Sequence, residues 1–153
     1  MRPITYITAD VVVNLVMAIA GMVILILLGL LLYHLKFGGN VLFVLAGFVL
    51  CAVSFFACGY VVANVATSAR GAQVIGQLFY FPMMFLSGAA IPREFMPPTM
   101  RTISNFFPFT HCVTLLQNLW RGDPLGGQLV PTAVIAGLLV AGAYVATRFF
   151  RWE

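Results

Sequence analysis

Few residues in this sequence are equipped for chemistry, and their placement narrows what that chemistry is. The acids are Asp10, Glu94, Asp123 and Glu153. All fall at the edges of apolar runs or between them, so none reads as the deep carboxylate that an ion-driven carrier needs. The only lysine, Lys36, is followed by Phe37. A phosphate-cradling loop needs Gly-Lys and then Ser or Thr, so the chain lacks that route to ATP hydrolysis. His34 and His111 stand apart, with no HExxH and no acid at i+3 or i+4, and read as interfacial polar residues. Cys51, Cys58 and Cys112 form no CxxC pair and no metal-finger spacing. They read as small buried apolar side chains. Nothing here predicts an enzyme, a metal site or a bound cofactor.

The remaining polar groups inside apolar runs are Asn14, Asn64, Gln73 and Gln77. Gln73 and Gln77 are one helical turn apart and share a face. They either line a substrate path or hydrogen-bond a neighbouring helix. Small residues recur at every fourth position in Ser68-Ala72-Gly76 and in Ala133-Gly137-Ala141, with a third, interrupted stripe of Gly47, Cys51, Gly59 and Ala63. Such spacing lets helices approach closely, within the chain or between subunits.

These groups have to be positioned by strongly apolar elements. Of 153 residues, 62% are hydrophobic and 8% charged, and the mean hydropathy is +1.04. A soluble domain of this size cannot hide so much apolar surface. That excludes a soluble enzyme, a nucleic-acid binder and a disordered chain. The net charge of +4 then tracks anionic lipid rather than nucleic acid. The predicted architecture is all-α: a polytopic membrane helix bundle with spans at about 11–33, 41–65, 72–91 and 132–149. Asp10 is placed at the start of the first span as its cap. That span is too long for a signal peptide and has no cleavage site after it. Gly38-Gly39 and the segment from Ala66 to Gly71, which includes Arg70, are short loops. Pro82 should kink the third span.

Between about 92 and 131 the character changes. Pro92, Pro97, Pro98 and Pro108, with Arg93, Arg101 and Arg121, break up the apolar runs. Met96, Met100, Ile103 and Phe107 recur at helical spacing, which predicts a short amphipathic helix. A second helix is expected over about Phe109 to Trp120, ending at Arg121-Gly122. Twelve residues give about 18 Å, too short for a core of about 30 Å. The pair therefore dips in and returns, or rests on the surface. Arg148, Arg151 and Trp152 anchor the end of the last span. Lys and Arg divide evenly between the two sides, so charge alone does not orient the chain.

The order of parts resembles one family. A span ending in FLSGAAIP (Phe85 to Pro92) is followed by Met96-Pro97-Pro98, an amphipathic stretch, FPFTH (Phe107 to His111), and a helix ending in Arg121-Gly122. This is similar to the C-terminal half of an ABC-2 type permease, the membrane subunit of an ATP-binding-cassette exporter. Arg2-Pro3-Ile4-Thr5 also resembles the segment entering the third span in the daunorubicin-resistance branch. The resemblance implies six spans in the whole family pattern, so the first two are expected to be missing here. It implies a pore-forming part in the bacterial inner membrane, with both termini cytoplasmic. The implied partners are a separate ABC ATPase, which would hold the ATP and Mg, and a second permease chain in a homo- or heterodimer. The implied cargo is an amphipathic drug, lipid or saccharide-type compound. Arg2, Thr5, Asp10 and Arg70 would lie nearest the ATPase, and Gln73 and Gln77 along the path. Ser87, Gly88, Pro92, Pro108, Thr110 and His111 would belong to an outer gate hairpin. A proton-coupled multidrug carrier and a non-transporting assembly subunit or fragment are the alternatives.

Overall fold

The computed structural model of the chain describes residues 3–34, 36, 38–66, 68–123 and 125–149, and their side chains except at 3–7, 125–126 and 146–149. The described residues form helices joined by turns, with no strand among them. In chain order these are α1 (Pro3–Tyr33), α2 (Val41–Val65), α3 (Ala69–Leu86), a 3-10 turn (Arg93–Phe95), α4 (Pro98–Ser104), α5 (Pro108–Arg121), a second 3-10 turn (Leu125–Gln128) and α6 (Leu129–Phe149).

Local chemistry sets the helix limits. Asn40 caps α2, its Oδ1 accepting from the Leu42 amide at 2.9 Å. Ser68 caps α3 in the same way, accepting from the Gly71 amide at 3.1 Å. Pro98 and Pro108 occupy the first turns of α4 and α5, where a missing N–H costs nothing and the ring presets φ. Gly122 closes α5 at φ +77°, a left-handed cap that other residues adopt at a cost.

The stretches Thr8–Tyr33 and Val41–Val65 are long and apolar enough to cross a membrane. Along α1 the half-buried positions are Val11, Leu15, Ala18, Ile19, Met22, Ile26 and Gly29. This 3–4 stripe lies on α2, and most of the other described side chains of α1 are exposed leucine, valine and isoleucine. An apolar face of that extent suits lipid and not water.

The packed centre is made by α2, α5 and α6. Val44, Cys51, Cys112, Leu115, Leu119 and Ile135 form the core, with Met22, Leu50 and Phe55 against it. At its middle, Ser54 of α2 is fully buried and its Oγ donates to the carbonyls of Leu50 at 2.7 Å and Ile135 at 3.2 Å. The second bond ties α2 to α6. The two helices run the same way, for a Cβ on Gly142 would sit 3.0 Å from that of Ala57.

Several sequence expectations shift. The first helix starts at Pro3, because no breaker separates Pro3 from Val11. Asp10 is therefore about two turns inside α1 and caps nothing. Arg70 lies in the first turn of α3, not in a loop, because Ser68 starts the helix early. At its other end α3 stops at Leu86 rather than near Ile91, where Gly88 turns the chain at φ +90°. Pro82 is carried inside α3. The last helix starts at Leu129, before the expected Thr132. Of the stripes of small residues, Gly47 and Cys51 are buried at the α2–α5 contact, but Gly59, Gly76 and Gly137 face open space. The close α2–α6 contact uses Gly142 instead. Arg2, Arg151 and Trp152, and the side chains of Thr5 and Arg148, lie outside the described residues.

Candidate functional site

The residues predicted for a hairpin come together around the end of α3 and the start of α5. Ser87 is fully buried. Its Oγ donates to the Met84 carbonyl at 3.0 Å and accepts from the Ala89 amide at 3.2 Å. The chain then turns at Gly88, where the stem of Arg93 packs so closely that a Cβ would come within 2.7 Å of it. Pro92 opens the 3-10 turn that presents Arg93. The Arg93 guanidinium reaches the end of α4, donating to Asn105 Oδ1 at 2.6 Å and to Ser104 Oγ at 3.5 Å. A cation at a helix C-terminus also meets the negative end of its dipole. Arg101 closes the loop from the other side, its guanidinium donating to the carbonyls of Arg93 and Glu94 at 2.8 and 3.0 Å. Across the turn, His111 Nε2 lies 3.0 Å from the Asn105 backbone carbonyl oxygen, which can only accept, so Nε2 is the donor of the pair. Thr110 is 1% exposed and its Oγ1 has no hydrogen-bond partner among the described residues.

The helix that follows lies antiparallel on α2. Phe109 meets Phe55 edge-on with ring centroids 5.6 Å apart, and Cys112 meets Cys51. Near the far end Leu119 closes over Gly47. Beyond it the Gly38 amide donates to the Trp120 carbonyl at 3.3 Å. The α1–α2 loop is therefore fastened to the end of α5 backbone to backbone. A Cβ at Gly39 would overlap the Leu119 carbonyl oxygen, and one at Gly122 the Gly38 carbonyl oxygen. Since α5 starts opposite Phe55, it covers only the Asn40-side half of the 25-residue α2. The Val65 half of α2 extends beyond it by about 15 Å at the helical rise.

Beside and below the start of α5 is a chamber of about 560 Å³ between α2, α3, α5 and α6. Phe55, Phe79, Tyr80 and Phe109 give it aromatic walls, and Pro108 borders it. Tyr80 and Phe109 are 6.1 Å apart between centroids. The α3 face on this chamber carries Gly76, Phe79, Tyr80 and Met83. Gln73 and Gln77 are exposed on an adjoining face, outside the chamber wall and without a hydrogen-bond partner among the described residues. The geometry does not bring them into this cavity.

A second crevice, of about 300 Å³, opens between α1 and α2. Asp10 is its only charged lining residue. Its Oδ2 accepts from the Tyr60 hydroxyl at 2.9 Å, and its Oδ1 from Asn14 Nδ2 at 3.1 Å. Asp10 and Arg70 are not joined by an ion pair. Sequence reasoning passed over Tyr60, although a lone hydroxyl in an apolar helix signals a partner. It also gave no role to Arg93 or Asn105, and read Gly38-Gly39 only as helix breakers.

Comparison with known proteins adds the following. The family model described as ABC-2 type transporter matches residues 1–119, which run from the N-terminus through most of α5. Nodulation protein J of Rhizobium leguminosarum bv. viciae is 27% identical over 110 residues, covering 72% of this chain and 42% of that protein. The inner membrane transport permease YhhJ of Escherichia coli K12 is 31% identical over 106 residues, covering 67% of this chain and 28% of that protein. The chain thus spans less than half the length of these relatives. No solved structure matches.

Proposed function

The chain belongs to the ABC-2 type transporter family, and from that premise we propose that it is the membrane-crossing part of an exporter permease. It moves an amphipathic drug, lipid or saccharide-type compound out of the cytoplasm. ATP hydrolysis occurs in a separate ABC ATPase, and a second permease chain, identical or different, completes the path. The chain resides in a bacterial inner membrane with both termini in the cytoplasm. The helices α1, α2, α3 and α6 cross, while α4 and α5 enter from the outer side and return. The apolar lengths of α1 and α2 support this reading, as does the 31% identity to a protein named as an inner membrane transport permease.

The observation that carries the reading is the half-length course of α5 along α2. A helix that begins opposite Phe55, over an open apolar chamber, and is held at its other end has the form of a plug held from one side. Rocking of neighbouring helices would open or close the space beneath it without remodelling the helices themselves. Arg93 and Arg101 stiffen the plug's far side, so motion of the whole hairpin is favoured over its unravelling.

The test is reconstitution of the chain with its ATPase in sealed vesicles. ATP-driven movement of a labelled amphiphile is expected, and collapse of the proton gradient at constant ATP should leave it intact. Loss of transport on that collapse would favour a proton-coupled carrier. Pro108→Ala should impair export more than it impairs ATPase binding; equal loss of both would make the hairpin a structural element and no gate.

A further inference from the structure

The Asp10 carboxylate has two hydrogen bonds, both from neutral donors, Asn14 and Tyr60. No lysine or arginine pairs with it among the described residues. Asp10 is exposed along this crevice and is its one charged lining residue, so it offers an incoming cation a carboxylate held in place by Asn14 and Tyr60. The same crevice is walled by the rings of Phe55, Phe56 and Tyr60. Aromatic rings attract alkylammonium groups. A metal ion is a poorer fit, because divalent cations ask for several oxygen ligands. Among the described residues no three acids, histidines or cysteines gather anywhere.

The crevice does not stand alone. Phe55 and Gly59 line both it and the 560 Å³ aromatic chamber on the other side of α2. Gly59 is the point where the two adjoin, and a Cβ there would meet nothing within 4 Å. A charged compartment of about 300 Å³ therefore borders an apolar one in the range of drug-sized sites.

We infer that these two compartments form one binding site for an amphipathic organic cation. Its ammonium group sits against Asp10 and the surrounding rings. Its apolar body passes Gly59 and rests against Phe55 and Phe109. The inference names a cargo class for the proposed permease and rests on that reading for its role in export, but not for binding itself.

The test is equilibrium binding of tritiated (6-phenylhexyl)trimethylammonium, which has a separate ammonium head and apolar body, to the full chain in lipid nanodiscs, without ATPase or nucleotide. Asp10→Asn should weaken binding about tenfold or more, whereas Asp10→Glu, which keeps the charge, should stay within about threefold. Gly59→Leu should weaken binding of the large probe about tenfold by closing the passage. Tetramethylammonium, which needs only the Asp10 compartment, should compete equally well in Gly59→Leu and in the parent chain. Unchanged probe binding in Asp10→Asn overturns the site. If that variant fails to fold, Gly59→Leu decides, and unchanged binding of the probe there overturns it equally. Adding glycerophosphocholine to the Asp10-dependent measurement in phosphatidylglycerol nanodiscs separates two sources of the ammonium. Competition by it supports the site with a lipid headgroup as occupant, and no competition supports it with a free amine. A complex that binds the probe in this way but exports nothing defeats the permease reading and leaves the site standing. Normal binding in Asp10→Asn beside a complex that exports does the reverse.

Discussion

The seam formed by α2, α5 and α6 and the flanks formed by α1 and α3 obey different rules. Where the seam helices touch, glycines are squeezed: Gly39 lies against the Leu119 carbonyl, Gly47 against the Leu119 side chain and Gly142 against Ala57, while Gly59 and Gly137 on their other faces meet nothing. On the flanks, Gly21 of α1 and Gly76 of α3 meet nothing. The seam is apolar and bonded through backbone, with Ser54 as its one buried interhelical hydroxyl bridge among the described residues. The flanks carry the Asp10 crevice and border the aromatic chamber. The tight region fixes where α5 sits, and the loose region holds the space and charge a ligand would use. A transporter that rocks needs both, because close-packed interfaces move as units and open ones take up the change.

The largest expected effect falls on the seam. Gly39→Val drives a side chain into the Leu119 carbonyl, which is backbone and cannot swing aside. A loss of about 3 kcal/mol or more is expected, since overpacking against main chain leaves little room for relaxation. Thermal unfolding in detergent would show it as a large fall in Tm or as loss of monodisperse protein. The matching flank change, Gly76→Ala, should raise stability by about 0.5–1 kcal/mol, because a Cβ there meets nothing and alanine favours helix over glycine. Equal effects at the two positions would erase the distinction between seam and flank.

Next comes the clamp at the rim of the hairpin. Arg93→Gln removes a charge-assisted bond to Asn105 and the stem packed over Gly88. Arg93 is half-buried, so solvent screening lowers the cost to about 1–2 kcal/mol. Sharper than the stability loss is its location. Hydrogen exchange should rise over residues 93–111 and stay unchanged in α2 and α6, whereas a spread into α6 would mean that the rim and the seam are one unit.

Much of this arrangement was legible in the residues. Apolar length gave α1 and α2, and the proline-rich break gave the change of character after Leu86. The short α5 followed from Pro108 at its start and the stop at Arg121-Gly122. What escaped was decided by tertiary contact. Asp10 looked like a cap because a charge at the head of an apolar run usually marks its edge, but the helix continues upstream and Tyr60 supplies a partner 50 positions away. Gly38-Gly39 carries the same two-letter signal whether it breaks a helix or seats a backbone. Only the approach of Leu119 and Arg121 distinguishes the cases. Gln73 and Gln77 share a face as expected, yet that face adjoins the chamber instead of lining it, because Gly76 and Tyr80 take the inward side. The proposed roles of Arg2 and Thr5 fall outside the described residues or side chains.

A smaller effect probes the centre of the seam. Ser54→Ala deletes the bond to the Ile135 carbonyl together with a bond to its own helix. Hydrogen bonds between helices in lipid average about 0.6 kcal/mol, because the separated helices find other partners. A loss of about 1 kcal/mol is expected, and it should add to that of Arg93→Gln if seam and rim are independent. A coupling above about 0.5 kcal/mol in the double variant would join them.

The smallest effect has the opposite sign. Thr110 sits where the hairpin enters the seam, buried, with a hydroxyl that finds no acceptor among the described residues. Thr110→Val keeps the branched shape and discards the unpaired polar atom. An unsatisfied buried hydroxyl costs about 1–3 kcal/mol in water-soluble proteins. The gain here should be nearer 0.5 kcal/mol, roughly the scale of hydrogen bonds measured between helices in lipid. Both residues are stiff at χ1 in a helix, so side-chain entropy contributes little. A higher Tm with undiminished ATP-driven export would make Thr110 a packing residue and remove it from the gate. A higher Tm with lost export would show that the hydroxyl is held unpaired at rest and bonded during the cycle, which places function at the joint between the rigid seam and the hairpin it anchors.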